Sequence, residues 1–381
     1  MRISFLPAFC ILQSVVCNLQ SPVCAQSFFS SRGLGEQVYQ SDAASQALGG
    51  LFSSSLRNPA YPVLATRSNF TVSALLLGNY AVQDSWQRLT GAGRPEFFRA
   101  RIPLPWEFRL GLGFSDWYNQ DFDVYSESLA AYRRRVVGRG GIYDLDVSLA
   151  RSFFQSLSVG AEYCRLLGGS NELWRFDAYS GNYVTFDTIG YDYSGNALRF
   201  GLCGNLSLLS ASAFYEQILG FDIESHIRTH GSLVLDTTLP VRMPARFGGS
   251  LAIAPAPGWR ILLDVLTQNA AQSTIGGDTL PDLKNALRAV FGVQYLLNDR
   301  YPLRFGLRYH DWYLKAAQNR AIREIAVTAG SSLPLAGLGS FDFSLEYANQ
   351  GTAALKENLL RANLTLYFEE PWKKRTRNWG Y

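Results

Sequence analysis

The sequence predicts an all-β protein, a single large antiparallel β-barrel, on three observations. Of the 381 residues, 14% are aromatic and only 17% charged, and the mean hydropathy is −0.03. A soluble domain usually carries about a quarter charged residues. Apolar and polar residues also alternate along about fourteen segments, and the connections between these segments are short and long in turn. Together these features favour one sheet closed on itself over two or three soluble domains.

Alternation is clearest near the end of the chain. Leu360, Leu364 and Phe368 share one face of the last segment, whereas Arg361 and Asn363 share the other. Residues 341–347, 303–310 and 143–149 follow the same pattern. A period of two is that of a β-strand, and a helix would not separate these residues.

The lengths of the connections indicate which end of each strand lies at the periplasmic rim and which at the extracellular rim. Short ones are predicted at Pro103–Trp106, Ser152–Ser156, Leu206–Leu209, Pro255–Pro257, Asn298–Tyr301 and Pro334–Leu338. Longer polar or Gly-rich stretches lie near 82–95, 119–140, 168–196, 219–243, 269–284, 314–320 and 350–357. Tilted strands of about 10–12 residues rise about 25 Å, the height of the apolar band of an outer-membrane barrel. Short turns and long loops are typical of its periplasmic and extracellular rims.

The alternative is an exported soluble β-sandwich or propeller, which also alternates. It would need a very large core to bury 24 Phe and 20 Tyr. Aromatic residues near strand ends instead suggest girdles at a lipid boundary. These are Trp106, Trp117, Tyr118, Trp259, Tyr295, Tyr301, Trp312, Tyr313 and Trp372. We therefore expect a transmembrane barrel in a bacterial outer membrane, in contact with its lipid.

The chain divides into four parts. Residues 1–25 read as a signal peptide, with a mostly apolar run and small residues before Gln26. Residues 68–369 are the predicted barrel, and 370–381 are a basic tail that we interpret as a solvated end rather than a nucleic-acid contact. Cys164 and Cys203 remain after cleavage, and whether they pair is left open.

Residues 26–67 do not alternate and are rich in Gly, Ser and Ala. An even number of strands after them would start this segment in the periplasm. It could be a free tail or a plug folded into the lumen. Its apolar residues, including Leu34, Leu51 and Phe52, favour the plug.

Three features resemble the FadL-type outer-membrane transport family, in the broad branch that includes the PorV-like proteins of type IX secretion. The first is the segment with Leu48-Gly49-Gly50, where the family typically has Met-Gly-Gly, followed by Asn58-Pro59-Ala60. The second is the count of about fourteen strands. The third is the end of the chain, from Leu364 to Arg375, an aromatic strand followed by acidic residues, Trp372 and a basic tail.

The resemblance implies a monomeric barrel with an N-terminal hatch that contains Gly49, Gly50, Asn58, Pro59 and Ala60. It implies passive uptake of hydrophobic, fatty-acid-like molecules, and help from the barrel-assembly machinery during biogenesis. The same branch contains adaptors that hold secreted partners without transport. The resemblance therefore leaves both functions open.

No catalytic constellation stands out, and we expect no enzyme activity, metal or cofactor. His226 and His230 are four apart, a metal spacing only on a helix. Charges of both signs fall on the predicted inward faces, where they could pair with one another and with the hatch. They are Arg109, Asp144, Asp146, Glu162, Arg199, Glu216, Asp264, Arg304, Arg308, Glu324, Asp342, Glu346 and Arg361. A second reading is that Arg304 and Arg308, on one face of one strand, bind an anionic head group.

Overall fold

The computed structural model describes residues 27–39, 42–61, 67–83, 86–127, 132–154, 156–178, 184–316, 320–335, 339–352 and 355–371. The predicted signal peptide lies outside the described residues, as does the basic tail from residue 372 onward. Within the described part of the chain, no helix is long and apolar enough to cross a membrane.

Fourteen antiparallel strands form a closed barrel, as the sequence predicts. They are β1 (Arg67–Gln83), β2 (Trp86–Pro103), β3 (Phe108–Asn119, resuming at Phe122–Glu127), β4 (Tyr132–Phe153), β5 (Leu157–Ala178), β6 (Val184–Leu206), β7 (Leu209–Thr229), β8 (Ser232–Arg242, resuming at Arg246–Ile253), β9 (Trp259–Gln268), β10 (Ala286–Leu297), β11 (Tyr301–Ala316), β12 (Arg320–Leu335), β13 (Gly339–Gly351) and β14 (Lys356–Pro371). Pairing of β14 with β1, from Lys356 opposite Val82 to Pro371 opposite Arg67, closes the ring. Closure leaves no long free edge in the lipid.

Each predicted short connection separates two strands, and we call this rim the turn end and the opposite rim the loop end. The connection at 336–338 lies outside the described residues. Much of what we expected to be long loops is strand instead, because β5 and β6 contain 22 and 23 residues. Loss of the apolar alternation marks where a strand leaves the lipid, but its backbone keeps pairing beyond that point. The barrel wall is therefore tall at β4–β7 and low at β9, which has 10 residues.

The barrel is apolar outside and polar inside. Leu360 and Leu364 on β14 are 58% and 38% exposed, whereas Arg361 and Asn363 are buried. The same division holds on β4, β11 and β13, as their alternation predicts. An apolar outer surface around a polar interior is stable only in lipid. The chain is accordingly an outer-membrane β-barrel.

The described part of residues 27–61 lies inside the lumen as a plug. We call residues 27–39 the upper plug and 42–61 the lower plug. The upper plug contains a 3-10 turn at Phe28–Ser31 and a two-residue strand, Glu36–Gln37, paired with β3. The lower plug contains helix α1 (Ala43–Ala47), capped by the Asp42 side chain, and then irregular backbone.

The expectation that this segment starts in the periplasm is wrong for its described part. The Ser27 hydroxyl donates to Glu357, near the loop end of β14. From there the chain descends, and Arg101 donates to the Tyr61 carbonyl near the turn end of β2. The strand count fixes only where the plug meets β1, and a segment of this length can cross the lumen before it.

The girdle assignment also needs correction. Trp106 and Trp259 are exposed, in agreement with a lipid-facing position. Four of the others are at most 3% exposed and face the lumen, because the regular strand register is interrupted between Asp116 and Tyr118 on β3 and between Asp311 and Lys315 on β11. They are Trp117, Tyr118, Trp312 and Tyr313. Trp372 lies outside the described residues, and Cys164 and Cys203 are buried free thiols.

Candidate functional site

The lumen has two layers with different chemistry. Near the loop end, apolar and aromatic side chains from most of the wall form one buried cluster, which includes Phe29 and Leu34 of the upper plug. Nearer the turn end, charged side chains surround the lower plug. A solute that enters from the loop end first meets the apolar layer and the upper plug, so the plugged lumen is the candidate site.

The apolar layer is built largely from aromatic rings. Phe29 packs edge-to-face on Trp312 at 6.0 Å between ring centroids, and Tyr118 packs on Tyr313 at 5.8 Å. Across the lumen, Phe221 continues the aromatic surface, 5.9 Å from Trp117. Such pairs contribute about 0.5–1.5 kcal/mol each beyond the burial of area. The layer thus offers an apolar, aromatic surface that the upper plug itself covers.

Hydrogen bonds also attach the upper plug to the wall, and the Gln37 amide donates to the Tyr118 hydroxyl at 2.6 Å. The Leu34 N–H donates to the Tyr313 hydroxyl at 3.0 Å, and the Phe28 N–H donates to Glu357 at 2.7 Å. Glu36 forms an ion pair with Arg361 at 2.7 Å. Burial raises the pKa of the Glu36 carboxyl, although Arg361 opposes that shift.

The first charged network lies between β2 and β8. Arg199 donates to Glu216, Glu162 and Asp144 at 2.5, 2.9 and 2.5 Å. The other members bridge these groups to the plug and to one another: Arg57, Arg99, Asp146 and Arg246. Four arginines therefore meet four carboxylates in a buried region. Charges at such depth are stable only when each keeps its partner.

The second network lies between β11 and β14. Arg308 donates to Glu324 at 2.6 Å and to Glu346 at 2.6 Å, and it also reaches the Gly49 carbonyl at 3.2 Å. Arg361 donates to Glu346 at 2.5 Å. Two arginines thus share two glutamates and also bind the plug.

Gly49 and Gly50 are placed where a side chain would not fit. Their φ angles are +91° and +79°, a region that favours glycine. A Cβ at Gly49 would lie 2.6 Å from Val290 Cγ1 and 2.9 Å from the Leu307 carbonyl oxygen. The turn therefore brings the plug backbone directly against β10 and β11.

Arg288 binds the backbone of this glycine turn. It is 2% exposed and donates to the Gly50 carbonyl at 2.5 Å, and its guanidinium lies 4.4 Å from the centre of the Tyr39 ring. Burial raises the pKa of the Tyr39 hydroxyl, which stays neutral beside it. Arg288 thus attaches the middle of the plug to β10 by hydrogen bonding.

Asn58, Pro59 and Ala60 form the second close contact with the wall. The Asn58 amide donates to the carbonyls of Ser53 at 2.6 Å and Ala213 at 3.1 Å, and its oxygen accepts from the Ala60 N–H. Gly160 on β5 leaves room for this turn, since a Cβ there would lie 2.5 Å from the Pro59 carbonyl carbon. All five residues predicted for the hatch thus lie in the plug.

Arg304 and Arg308 both face the lumen but differ in their partners. Arg308 has its donors occupied by two glutamates and the plug. Arg304 is half-buried nearer the turn end and donates to the neutral groups of Gln294 at 3.1 Å and Ser332 at 2.6 Å. Their role as an anion site stays a prediction. Arg304 is better placed for it than Arg308, because its partners Gln294 and Ser332 are neutral and an anion could replace them.

A narrow polar cavity lies where the two layers meet. Its volume is about 10 Å³, room for about one water molecule, and Gln37, Tyr39, Arg288 and His310 line part of it. Ligand pockets are usually about 300–1,000 Å³ and mostly apolar. This cavity is therefore too small and too polar for a hydrophobic solute while the plug is in place.

The sequence reasoning missed several of these residues. Arg57 lies in the plug, where no alternation marks it, and Arg246 follows the break in β8. Arg99 and Arg288 lie on inward strand positions and could have been found from alternation alone. The buried aromatics of the apolar layer were assigned to the wrong side because their distance from the turns suggested a girdle.

Comparisons with solved structures agree on the fold, and one family model matches part of the chain. A family model described as BamG matches residues 262–378, which is less than half of the chain. No curated protein matches the sequence. A FadL homologue of Pseudomonas aeruginosa is similar in structure, with 14% identity, a TM-score of 0.60, and coverage of 89% of this chain and 100% of that one.

Two other solved structures are similar to the same degree. The toluene transporter TodX of Pseudomonas putida has 14% identity and a TM-score of 0.61, with 88% and 100% of the two chains covered. The CymD monoaromatic hydrocarbon channel has 14% identity and a TM-score of 0.59, with 88% and 99% covered. Together with the plugged lumen, these likenesses show that the chain has the FadL-type outer-membrane barrel fold.

Proposed function

We propose that this protein is a gated outer-membrane barrel for passive uptake of hydrophobic small molecules. The observation that carries the proposal is the apolar layer near the loop end, which Phe29 and Leu34 of the plug fill from within. A surface of this kind favours an apolar solute by about 25 cal/mol per Å² buried. The solute would bind by displacing the upper plug and occupying the same surface.

The different packing of the two parts of the plug supports opening at the upper plug. The upper plug carries the apolar contacts of Phe29 and Leu34, which a hydrophobic solute can replace. The lower plug is held by buried polar contacts, including the N–H of Ser53 to Asp264 at 2.8 Å and Arg288 to Gly50. Motion confined to the upper plug would admit a solute while the lower part still limits the flow of ions.

The proposal includes binding of an acidic head group of the solute, and Arg304 is the residue that would bind it. A carboxylate there would replace the neutral partners of the guanidinium and gain a charge-assisted pair. Fatty-acid-like molecules are therefore one class to test, beside neutral aromatic hydrocarbons. The similar structures are described as channels or transporters, which supports a role without catalysis.

Uptake into proteoliposomes tests the gate. In a background with Cys164 and Cys203 replaced by Ser, the double variant Glu36→Cys, Asn119→Cys would join the upper plug to β3, because the two residues are paired across strands. We expect uptake of a labelled fatty acid and of toluene to fall to the protein-free level on oxidation. Reduction should restore it.

The single Glu36→Cys variant is the matched control, since it loses the same ion pair without forming the cross-link. A variant lacking residues 26–60 should admit small polar solutes that the full chain excludes. If the full chain takes up neither hydrophobic probe faster than protein-free vesicles, passive uptake is ruled out.

A second candidate is a closed barrel that serves as an adaptor or as a component related to the barrel-assembly machinery. The match of residues 262–378 to the BamG family model favours it, as does a plug tied into both charged networks. The predicted relation to PorV-like adaptors belongs to the same candidate. Purification from outer membranes in mild detergent should then yield a stoichiometric complex, and liposome uptake should be absent.

A further inference from the structure

A cluster of metal-ligating side chains lies outside the lumen, on the tall part of the wall. Asp192 on β6 is directly opposite Glu224 on β7, and His226 is directly opposite Asp236 on β8. Phe221 and Ile223 on β7 are buried inward, while Glu224 is exposed, so the cluster faces outward. Glu224 stands roughly 35–40 Å above the turn end, beyond the apolar band of about 25 Å. The cluster is therefore exposed to water at the cell surface.

The geometry of His226 is that of a metal ligand. Its Nδ1 lies 3.1 Å from Asp236 and its Nε2 lies 3.3 Å from Asp192. Donation from Nδ1–H to Asp236 fixes the tautomer and leaves the Nε2 lone pair directed at the other side chains. Histidine ligands of metals are usually oriented by a carboxylate in this way.

The carboxylates give a second indication. Asp192 and Glu224 carry the same charge on directly opposed positions, an arrangement that destabilises a strand pair. One ligand atom from each of Asp192, Glu224 and His226 lies within 4.8 Å of the others. A cation between them would turn this repulsion into attraction.

We propose that Asp192, Glu224 and His226 bind one divalent transition-metal ion, with Asp236 as the positioning residue for His226. An imidazole with two carboxylates suits Zn²⁺, whereas Ca²⁺ and Mg²⁺ prefer sites made of oxygen alone. Solvent would complete the coordination, because both carboxylates are exposed.

Such a site would join three strands where the wall is least supported. The Ser232–Arg242 part of β8 pairs with β7 along one edge. Along its other edge, the described residues give it ladder partners only at Val241 and Arg242. A metal bound by β6 and β7 and oriented from β8 would stabilise this edge against fraying.

Titration calorimetry of the detergent-solubilised mature chain, stripped with EDTA, tests the site. We expect one Zn²⁺ per chain, with affinity lowered at least tenfold in His226→Ala and Glu224→Gln. His230→Ala is the matched control, because it removes a histidine from the same hairpin but outside the cluster, and it should bind like the wild type. Asp236→Asn should weaken binding less than His226→Ala.

Protease digestion from outside intact cells gives an independent readout of the strand edge. Zn²⁺ should slow cleavage within residues 228–234 in the wild type and in His230→Ala but not in His226→Ala. The proposal is overturned if no Zn²⁺ binds, or if binding survives in His226→Ala. Circular dichroism of each variant confirms that the barrel is folded.

Discussion

The two parts of the plug lie against lumen surfaces of different chemistry. The upper plug packs Phe29 against the Trp312 ring and adds hydrogen bonds to the wall, such as that of Leu34 to Tyr313. The lower plug is surrounded by buried charges and donates or accepts along most of its backbone. Apolar contacts can be exchanged for a solute without leaving unpaired groups, whereas buried polar contacts cannot. The comparison teaches that the same plug can open at one end and remain anchored at the other.

The largest effect should come from breaking a charged network. Arg308→Met removes the shared partner of Glu324 and Glu346 and leaves two buried carboxylates to Arg361 alone. We expect the free energy of unfolding to fall by about 3–5 kcal/mol, as for other buried ion pairs that lose one partner. Urea titration in lipid vesicles measures this. A loss below about 1 kcal/mol would show that the network does not anchor the lower lumen.

Removal of a ring from the apolar layer should act on the upper plug alone. Phe29→Ala deletes a side chain that is 1% exposed and packs on Trp312. In a protein core such a change costs about 3–5 kcal/mol. Here the loss would destabilise the position in which the upper plug closes the lumen. Uptake of hydrophobic solutes should rise, while ion conductance across planar bilayers stays near that of the wild type. Ion leakage would contradict the separate opening of the upper plug.

Strain at the glycine turn should loosen the lower plug instead. Gly49→Ala forces an alanine into a positive φ, which costs about 1–2 kcal/mol, and crowds Val290 and Leu307. We expect ion leakage in planar bilayers without a matching rise in hydrophobic uptake. Gly231→Ala is a fair control, because that glycine also has a positive φ but has no neighbouring atom within 4 Å of an added Cβ.

The sequence predicted the barrel better than it predicted the lumen. Alternation on strands such as Leu360–Phe368 reports directly on which side faces lipid, so strand count, turns and inward charges could be read from it. It does not say where a strand ends once it leaves the membrane, which is why β5 and β6 are longer than expected. Nor does it report which charges meet, because Arg57 and Asp144 come together only when the plug enters the barrel. The aromatic layer was missed for a related reason: a Trp near a membrane boundary suits lipid and lumen equally well, and only the strand register decides.

The smallest effect on stability is expected at Arg304, and it separates the two readings of the arginine pair. Arg304→Gln removes a half-buried guanidinium whose partners, Gln294 and Ser332, are neutral and can pair with an amide or with water. The free energy of unfolding should change by less than about 1 kcal/mol, the scale of an ordinary hydrogen bond. If Arg304 binds the head group of a solute, however, uptake of a fatty acid should fall several-fold while uptake of toluene is unchanged. Equal uptake of both probes by Arg304→Gln and the wild type would leave Arg304 with a structural role only, because a cation that binds carboxylates cannot be replaced by an amide without loss of charge-assisted pairing.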